Sequence, residues 1–158
     1  MSVGKSVRRV DGDDKANGSA RYVDDLRFPD MAHAVLLTAP GAHGKLLGLN
    51  TEAARAAEGV LGIITPADIQ GENQVGCVFP DQPLLVEDHY RFVGDRLAIV
   101  VATSRKLAIK AAAQIGVEHE PLPVVTDPEA ALAPGALQIH PDGNLIVHQR
   151  VRKESAEG

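Results

Sequence analysis

The sequence predicts an α+β fold with a mixed sheet, one main helix and several short helices. Short apolar runs typical of strands recur along the chain, and Leu97–Ala102 is apolar at every position. A single longer segment, Leu107–Ile115, carries an apolar stripe at helical spacing. The chain holds 15 glycines and 10 prolines in 158 residues, and these separate the runs from one another.

Three parts are expected along the chain. Residues 1–18 are polar and charged, so we predict an extended N-terminal arm that orders only against a partner surface. Residues 19–152 are predicted to form the folded domain, because they hold every predicted strand and helix. Residues 153–158 are polar and are predicted to form a frayed tail.

In the first half of the domain, apolar runs that end at turn formers predict four strands, Ala20–Leu26, Ala32–Ala39, Lys45–Leu49 and Val60–Thr65. Thr51–Ala57 is predicted to be a short helix, since Thr51 can cap it and Glu52 in the first turn suits the helix dipole. A one-turn helix is predicted at Thr65–Ile69, where Pro66 takes the first helical position.

The middle of the chain predicts a loop followed by the core. Gly71–Pro83 has no hydrophobic period and is rich in turn formers, so ligand or partner contacts can concentrate there. Tyr90–Val93 is predicted to be a strand that turns at Gly94-Asp95 into Leu97–Ala102. The uninterrupted apolar character of that second run indicates a strand covered on both faces.

The remaining elements follow the same rules. Ser104 can cap the main helix, whose alanines allow it to lie close to the sheet. Val117–Glu120 is predicted to be a strand at a sheet edge, because Pro121 and Pro123 after it cannot donate to a ladder. Asp127–Leu132 is predicted to be a short helix with Pro128 in first position, and Asn144–Arg152 alternates as a final strand.

Composition excludes several classes of function. The formal net charge is −5, with 16 Lys and Arg against 21 Asp and Glu, so neither a nucleic acid nor a membrane partner is expected. The single cysteine, Cys77, excludes a disulfide framework and an iron–sulfur cluster held by this chain alone. The first residues lack the apolar core of a signal peptide, so we expect a soluble cytoplasmic protein.

No catalytic, cofactor-binding or metal-binding residue is predicted from residue chemistry. Gly41–Lys45 is only superficially similar to a phosphate-binding loop, because Leu46 follows the lysine where Ser or Thr is required. A metal site would need histidines brought together by the fold, since no two stand at the helical i, i+4 spacing among His33, His43, His89, His119, His140 and His148.

The paired carboxylates and the cysteine also favour structural roles. Asp13-Asp14 and Asp24-Asp25 would diverge on an extended chain, so turn, cap or partner contacts are favoured over acid–base catalysis. Cys77 has no basic neighbour in the sequence that would stabilise a thiolate, and it is interpreted as a small apolar residue.

Four ordered segments resemble the N-terminal α/β hammerhead domain of the molybdenum hydroxylase large subunit, the family of xanthine dehydrogenase, aldehyde oxidase and related aldehyde oxidoreductases. They are VGKSVRRVDGDDKANGSARYVDDL, the run from His33 to Asn73, the run from Asp81 to Leu132, and HPDGNLIVHQRVRK. The third is the most similar. The chain departs from the family pattern at Ala39–His43 and at Asn17-Gly18.

The resemblance implies a structural or assembly role in a molybdopterin-dependent oxidoreductase that hydroxylates aldehydes or N-heterocycles. In that family the cofactor-binding residues and the catalytic glutamate lie in the longer region after this domain, so no such residue carries over to this chain. The implied partners are the molybdenum-binding region and the iron–sulfur subunit. Molybdopterin, iron–sulfur clusters and FAD are implied for the complete complex.

Alternatives remain open at this point. The chain can be a separately encoded subunit or a piece of a larger one. It can also be a free-standing binding or assembly protein with the same fold, which would use Gly71–Pro83 as its contact surface. A weaker alternative is an independent enzyme that uses Cys77 or a histidine. An isolated hammerhead domain is further expected to expose an apolar patch and to self-associate through it.

Overall fold

A computed structural model describes residues 3–76 and 79–153. The chain divides into two compact units, Met1–Met31 and Ala32–Gly158. The domain boundaries predicted at residues 18 and 152 stay predictions, and residues 154–158 of the predicted tail lie outside the described residues. No helix in the described ranges is long and apolar enough to cross a bilayer.

The first unit contains a helix inside the arm that the sequence predicts to be extended. This helix, α1, spans Gly12–Asn17. Acidic residues occupy its first turn, and Lys15 near its end pairs with Asp11 at 2.8 Å. Gly18 ends the helix with a φ of 77°, a conformation that glycine adopts without strain.

The predicted strand at Ala20–Leu26 is wrong. Val23–Asp25 is a 3₁₀ helix, and the Asp25 carboxylate accepts a hydrogen bond from the Tyr22 backbone N–H at 2.9 Å. The Arg27 guanidinium also donates to the Asp24 carbonyl at 2.6 Å. Short polar side chains that bond to nearby backbone compete with strand pairing, and the apolar spacing of a sequence does not reveal that competition.

The second unit confirms the α+β class. Its strands are β1 His33–Thr38, β2 Gly44–Asn50, β3 Val60–Ile64, β4 His89–Tyr90, β5 Arg96–Ala102 and β6 Gly116–Pro121. Its α-helices are α2 Glu52–Arg55, α3 Arg105–Ala112 and α4 Pro128–Ala131, and a 3₁₀ helix occupies Pro66–Asp68. The Ser104 hydroxyl caps α3 by accepting from the Leu107 N–H, as predicted.

The strands form two antiparallel sheets in place of the single mixed sheet that the sequence predicts. One has the order β1-β5-β3 and the other the order β4-β2-β6. Parallel pairing would need a strand to return beside its predecessor after the crossover helix. Here α3 connects β5 in one sheet to β6 in the other, so this crossover forms no parallel pair.

Two clusters of buried side chains form a continuous core. In the first, residues of α2 and of α3 with its C-terminal end pack on β5 and β3; its members are Ala54, Ile63, Ala98, Val100, Ala111, Ala112 and Ile115. The second cluster is built from Ala39, Val86, Tyr90 and Leu97. Leu37 and Leu49 pack against both clusters and so join them. The alanines predicted to bring the helix close to the sheet therefore do so.

The predicted final strand, Asn144–Arg152, is also wrong, since no strand is present in the described residues after β6. Asn144 instead fixes an irregular segment. Its side-chain amide donates to the carbonyls of Ala131 (2.9 Å) and Leu137 (2.8 Å), and its Oδ1 accepts from the Ile139 N–H at 2.8 Å. The chain that follows has strand-like residues without a sheet to pair with.

A tight turn replaces the second half of the predicted strand Tyr90–Val93. The Asp95 N–H donates to the Phe92 carbonyl at 3.2 Å, and Gly94 has a φ of 93°. Positive φ at the third residue of the turn indicates type II geometry, in which proline is favoured at the second position, here Val93.

We therefore expect Val93→Pro to stabilise the chain. Val93 is 78% exposed, and proline would reduce the entropy of the unfolded chain without loss of packing. The free energy of unfolding should rise by roughly 0.4–1 kcal/mol, measured by urea denaturation. Gly94→Ala is the matched control and should destabilise the chain, because alanine is strained at this φ. A destabilised Val93→Pro variant would contradict the turn assignment.

Candidate functional site

The predicted loop Gly71–Pro83 is held by one asparagine. The Asn73 amide donates to the Leu85 carbonyl (2.7 Å) and to the Glu87 carboxylate (2.8 Å), and its Oδ1 accepts from the Leu85 N–H (3.0 Å). The Asn73 side chain thus makes the same two hydrogen bonds to the Leu85 backbone that a residue on a neighbouring strand would make. The Val75 N–H further donates to the Gln82 carbonyl at 2.9 Å, so these two parts of the loop lie side by side.

Described residues of this loop border a polar cleft of about 460 Å³. Carboxylates line it at Glu72, Asp81, Glu87, Asp88 and Asp142, together with Arg91 and His140. The Arg91 guanidinium donates to the carbonyls of His89 and Ile139, both at 3.2 Å, so it ties the cleft wall together. Burial raises the pKa of Asp88, but the hydrogen bond from His89 and its charge outweigh burial, so this pKa lies below its usual value.

Asp95, predicted as a turn residue, has a larger structural role. It is 2% exposed, and its two carboxylate oxygens accept from the backbone N–H groups of Arg91 (3.0 Å) and Arg96 (3.2 Å). Its carbonyl accepts from the Ala39 N–H at 2.7 Å. Each carboxylate oxygen thus accepts a main-chain donor, and the buried side chain fixes the turn.

A buried tyrosine contacts a histidine and a glycine on the β4-β2-β6 sheet. Tyr90 is fully buried, and its hydroxyl lies 2.9 Å from Nδ1 of His119 in β6. Gly44 in β2 leaves room for the tyrosine ring, because a methyl group there would overlap the hydroxyl and lie 2.6 Å from the Glu120 carbonyl oxygen. Sequence reasoning did not predict this contact, since it depends on the register of three strands.

The structure does not bring the six histidines together. Nδ1 of buried His43 donates to the Pro123 carbonyl at 2.7 Å, and Nδ1 of His89 lies 3.1 Å from the Asp88 carboxylate. His119 contacts Tyr90, His140 lines the polar cleft, His33 lies in β1 and His148 is exposed. Within residues 3–76 and 79–153, no group of three or more His, Cys, Asp or Glu side chains is arranged to hold a metal ion.

The other sequence candidates also have structural roles. Asp14 accepts from the Ser19 hydroxyl at 3.0 Å, and Asp13 pairs with Arg8. In the apparent phosphate loop Gly41–Lys45, the lysine is already in β2 and pairs with Glu120 at 3.4 Å. Cys77 lies outside the described residues.

A further feature without an assigned role is the outer face of the β1-β5-β3 sheet. Leu36, Ile99 and Ile64 are register partners across the three strands, and Ala34, Val101 and Gly62 form the next row. Partners in register point to the same side of a sheet. Leu36 is 48% exposed and Ile64 38%, and a side chain at Gly62 would meet nothing within 4 Å.

We refer to these six residues as the outer face. The opposite side of the sheet packs against α3, which buries Ala98 and Val100 of β5. Every residue of the outer face is apolar, and sheets of this kind are normally covered on both sides or carry polar residues on the open side. The outer face therefore has the character of a surface for packing against another protein part, not of a reaction centre.

Comparison with known proteins identifies the family. The model for the a/b hammerhead domain of aldehyde oxidase and xanthine dehydrogenase matches residues 17–123, more than half of the chain. The chain belongs to this family. The resemblance found in the sequence is thereby confirmed, and so is the hammerhead fold.

Individual hammerhead relatives agree with this assignment. The chain is 40% identical to a probable xanthine dehydrogenase subunit of Bacillus subtilis over 92% of its length, and 41% identical to the xanthine dehydrogenase molybdenum-binding subunit of Escherichia coli O157:H7 over 87%. It spans 20% of each relative. The solved aldehyde oxidoreductase of Desulfovibrio desulfuricans superposes with a TM-score of 0.80 at 32% identity, over 89% of this chain and 17% of that one.

The described residues of this hammerhead domain do not fit a molybdenum cofactor. They contain no cluster of metal ligands, and the polar cleft is lined by five carboxylates, which would repel an anionic phosphate group. The arginine that lines this cleft, Arg91, donates to two main-chain carbonyls. Cofactor chemistry therefore has no support from side chains in this part of the molecule.

Proposed function

We propose that this hammerhead domain is an assembly element of a molybdopterin-dependent oxidoreductase and is not catalytic on its own. The supporting observation is the outer face, an apolar and partly exposed sheet surface on a domain that spans a fifth of its relatives. In the complete enzyme this face packs against the molybdenum-binding region. Such packing removes apolar area from water and positions the domain.

The finer features of the enzyme rest on the same proposal. Its substrates are aldehydes or N-heterocycles, and its location is the cytoplasm. The complete complex uses molybdopterin, with iron–sulfur clusters and FAD in the partner parts, and an iron–sulfur subunit binds beside the molybdenum-binding region. In support, the names of the relatives include xanthine dehydrogenase and molybdenum-binding subunit. The isolated chain self-associates through the outer face when its partner is absent.

Introducing negative charge on the outer face tests whether this surface binds the molybdenum-binding region. Leu36→Asp and Ile64→Asp together should weaken binding of the chain to the molybdenum-binding region at least tenfold, measured by titration calorimetry. Burial of one such side chain contributes roughly 1.5–3 kcal/mol, and each 1.4 kcal/mol changes an affinity about tenfold.

Ile109→Asp is the matched control, because Ile109 is 50% exposed on α3, away from the outer face. It should leave affinity unchanged. Circular dichroism should show that all variants keep their fold. Equal affinity of the outer-face variant and the wild-type chain would refute the proposed docking surface.

A further inference from the structure

Residues 145–152 have the sequence of a strand and the environment of an unpaired chain. Leu145, Ile146, Val147 and Val151 are 58%, 80%, 56% and 93% exposed. In the described part of the molecule, no backbone hydrogen bond involves residues 145–153. A run so rich in β-branched residues is suited to a half-buried pleated surface, which this unit does not provide.

The start of the segment is fixed. Asn144 donates to two carbonyls and accepts from the Ile139 N–H, so the chain leaves the domain from a defined point. A segment anchored at one end loses less freedom when it pairs than a segment free at both ends. The anchored, unpaired strand is therefore prepared for addition to a sheet edge.

Alternation gives the segment two different faces. In a strand, Leu145, Val147, Gln149 and Val151 would share one side, while Ile146, His148, Arg150 and Arg152 would share the other. No carboxylate occurs in residues 145–153. The matching edge must accordingly offer a mainly apolar surface on one side and carboxylates on the other.

The chain's own sheet edges do not match these requirements. β1 and β3 contain no carboxylate, and β4 has only two residues. β6 carries Glu118 and Glu120. However, Pro121 has no N–H to donate to a neighbouring strand, so β6 is too short to pair with the whole segment. The complementary edge is therefore expected on another part of the enzyme, since the matched part makes up only 20% of each of the two relatives.

We propose that residues 145–152 add as an edge strand to a β-sheet of the molybdenum-binding region. This inference rests on the proposed assembly function and assigns it a second contact, distinct from the outer face. Main-chain hydrogen bonds supply the affinity of such an addition, and the alternating side chains set its register.

Hydrogen–deuterium exchange on the chain alone and in its complex with the molybdenum-binding region tests the inference. We expect amides of residues 145–152 to exchange rapidly in the chain alone and at least tenfold more slowly in the complex. Val147→Pro, which removes a ladder donor, should weaken the complex at least tenfold, whereas Val93→Pro, the same substitution in a turn, should not.

Each other outcome overturns the inference. A complex in which these amides keep their rapid exchange leaves the assembly function intact but refutes strand addition. Failure of any complex to form refutes both. Slow exchange in the chain alone, accompanied by dimers in sedimentation, would assign the strand to a second copy of this chain.

Discussion

Gly44→Ala is expected to destabilise the second unit by about 3 kcal/mol or more. The added methyl would overlap the Tyr90 hydroxyl and lie 2.6 Å from the Glu120 carbonyl oxygen. Neither neighbour can move freely, because Tyr90 is fully buried and Glu120 belongs to the strand paired with β2. Overpacking in a core commonly costs about 1–3 kcal/mol, and backbone contact places this site at or above the upper end.

Urea denaturation measures the effect, with Gly62→Ala as the control. Gly62 also lies in a strand, but a methyl there meets nothing within 4 Å, so its stability should change by less than about 1 kcal/mol. A Gly44→Ala chain as stable as wild type would mean that β2 does not lie against Tyr90 as described.

Leu97→Ala is expected to cost about 2–5 kcal/mol of unfolding free energy, since it removes a buried leucine from the core. Leu97 is fully buried with Ala39, Val86 and Tyr90, and β5 is the central strand of its sheet. Pairing on both edges limits how far the strand can relax into the cavity.

Leu36→Ala provides the comparison within the same sheet. Leu36 is 48% exposed in β1, so its truncation should cost less than half as much as that of Leu97 in the same denaturation experiment. Equal costs at the two positions would contradict the assignment of Leu36 to an uncovered face. The pair thus tests the core and the outer face together.

The elements that sequence reasoning predicted well are those specified by local pattern. Leu97–Ala102 and the stripe ending at Ile115 appear as β5 and α3, because continuous apolar character and a serine cap act within a few residues. The strands predicted at Ala20–Leu26 and Asn144–Arg152 were wrong for different reasons. An aspartate bonded to nearby backbone replaced the first strand, and the second had no sheet to join.

The candidate site was less predictable because it depends on strand register. Leu36, Ile99 and Ile64 lie far apart in sequence and meet only through two antiparallel pairings. The one available signal was the full apolarity of Leu97–Ala102, which indicated cover on both faces. The structure covers one face of this strand with α3, and the other face is the surface proposed for assembly.

Turnover of an aldehyde or N-heterocycle by the reconstituted enzyme tests the assembly role most directly. Three samples are compared: the purified chain, the molybdenum-binding region with the iron–sulfur subunit, and all components together. The account predicts no turnover by the chain alone, and co-elution with full turnover only when the chain is present. Turnover by the chain alone, or activity and elution unaffected by its addition, would contradict it.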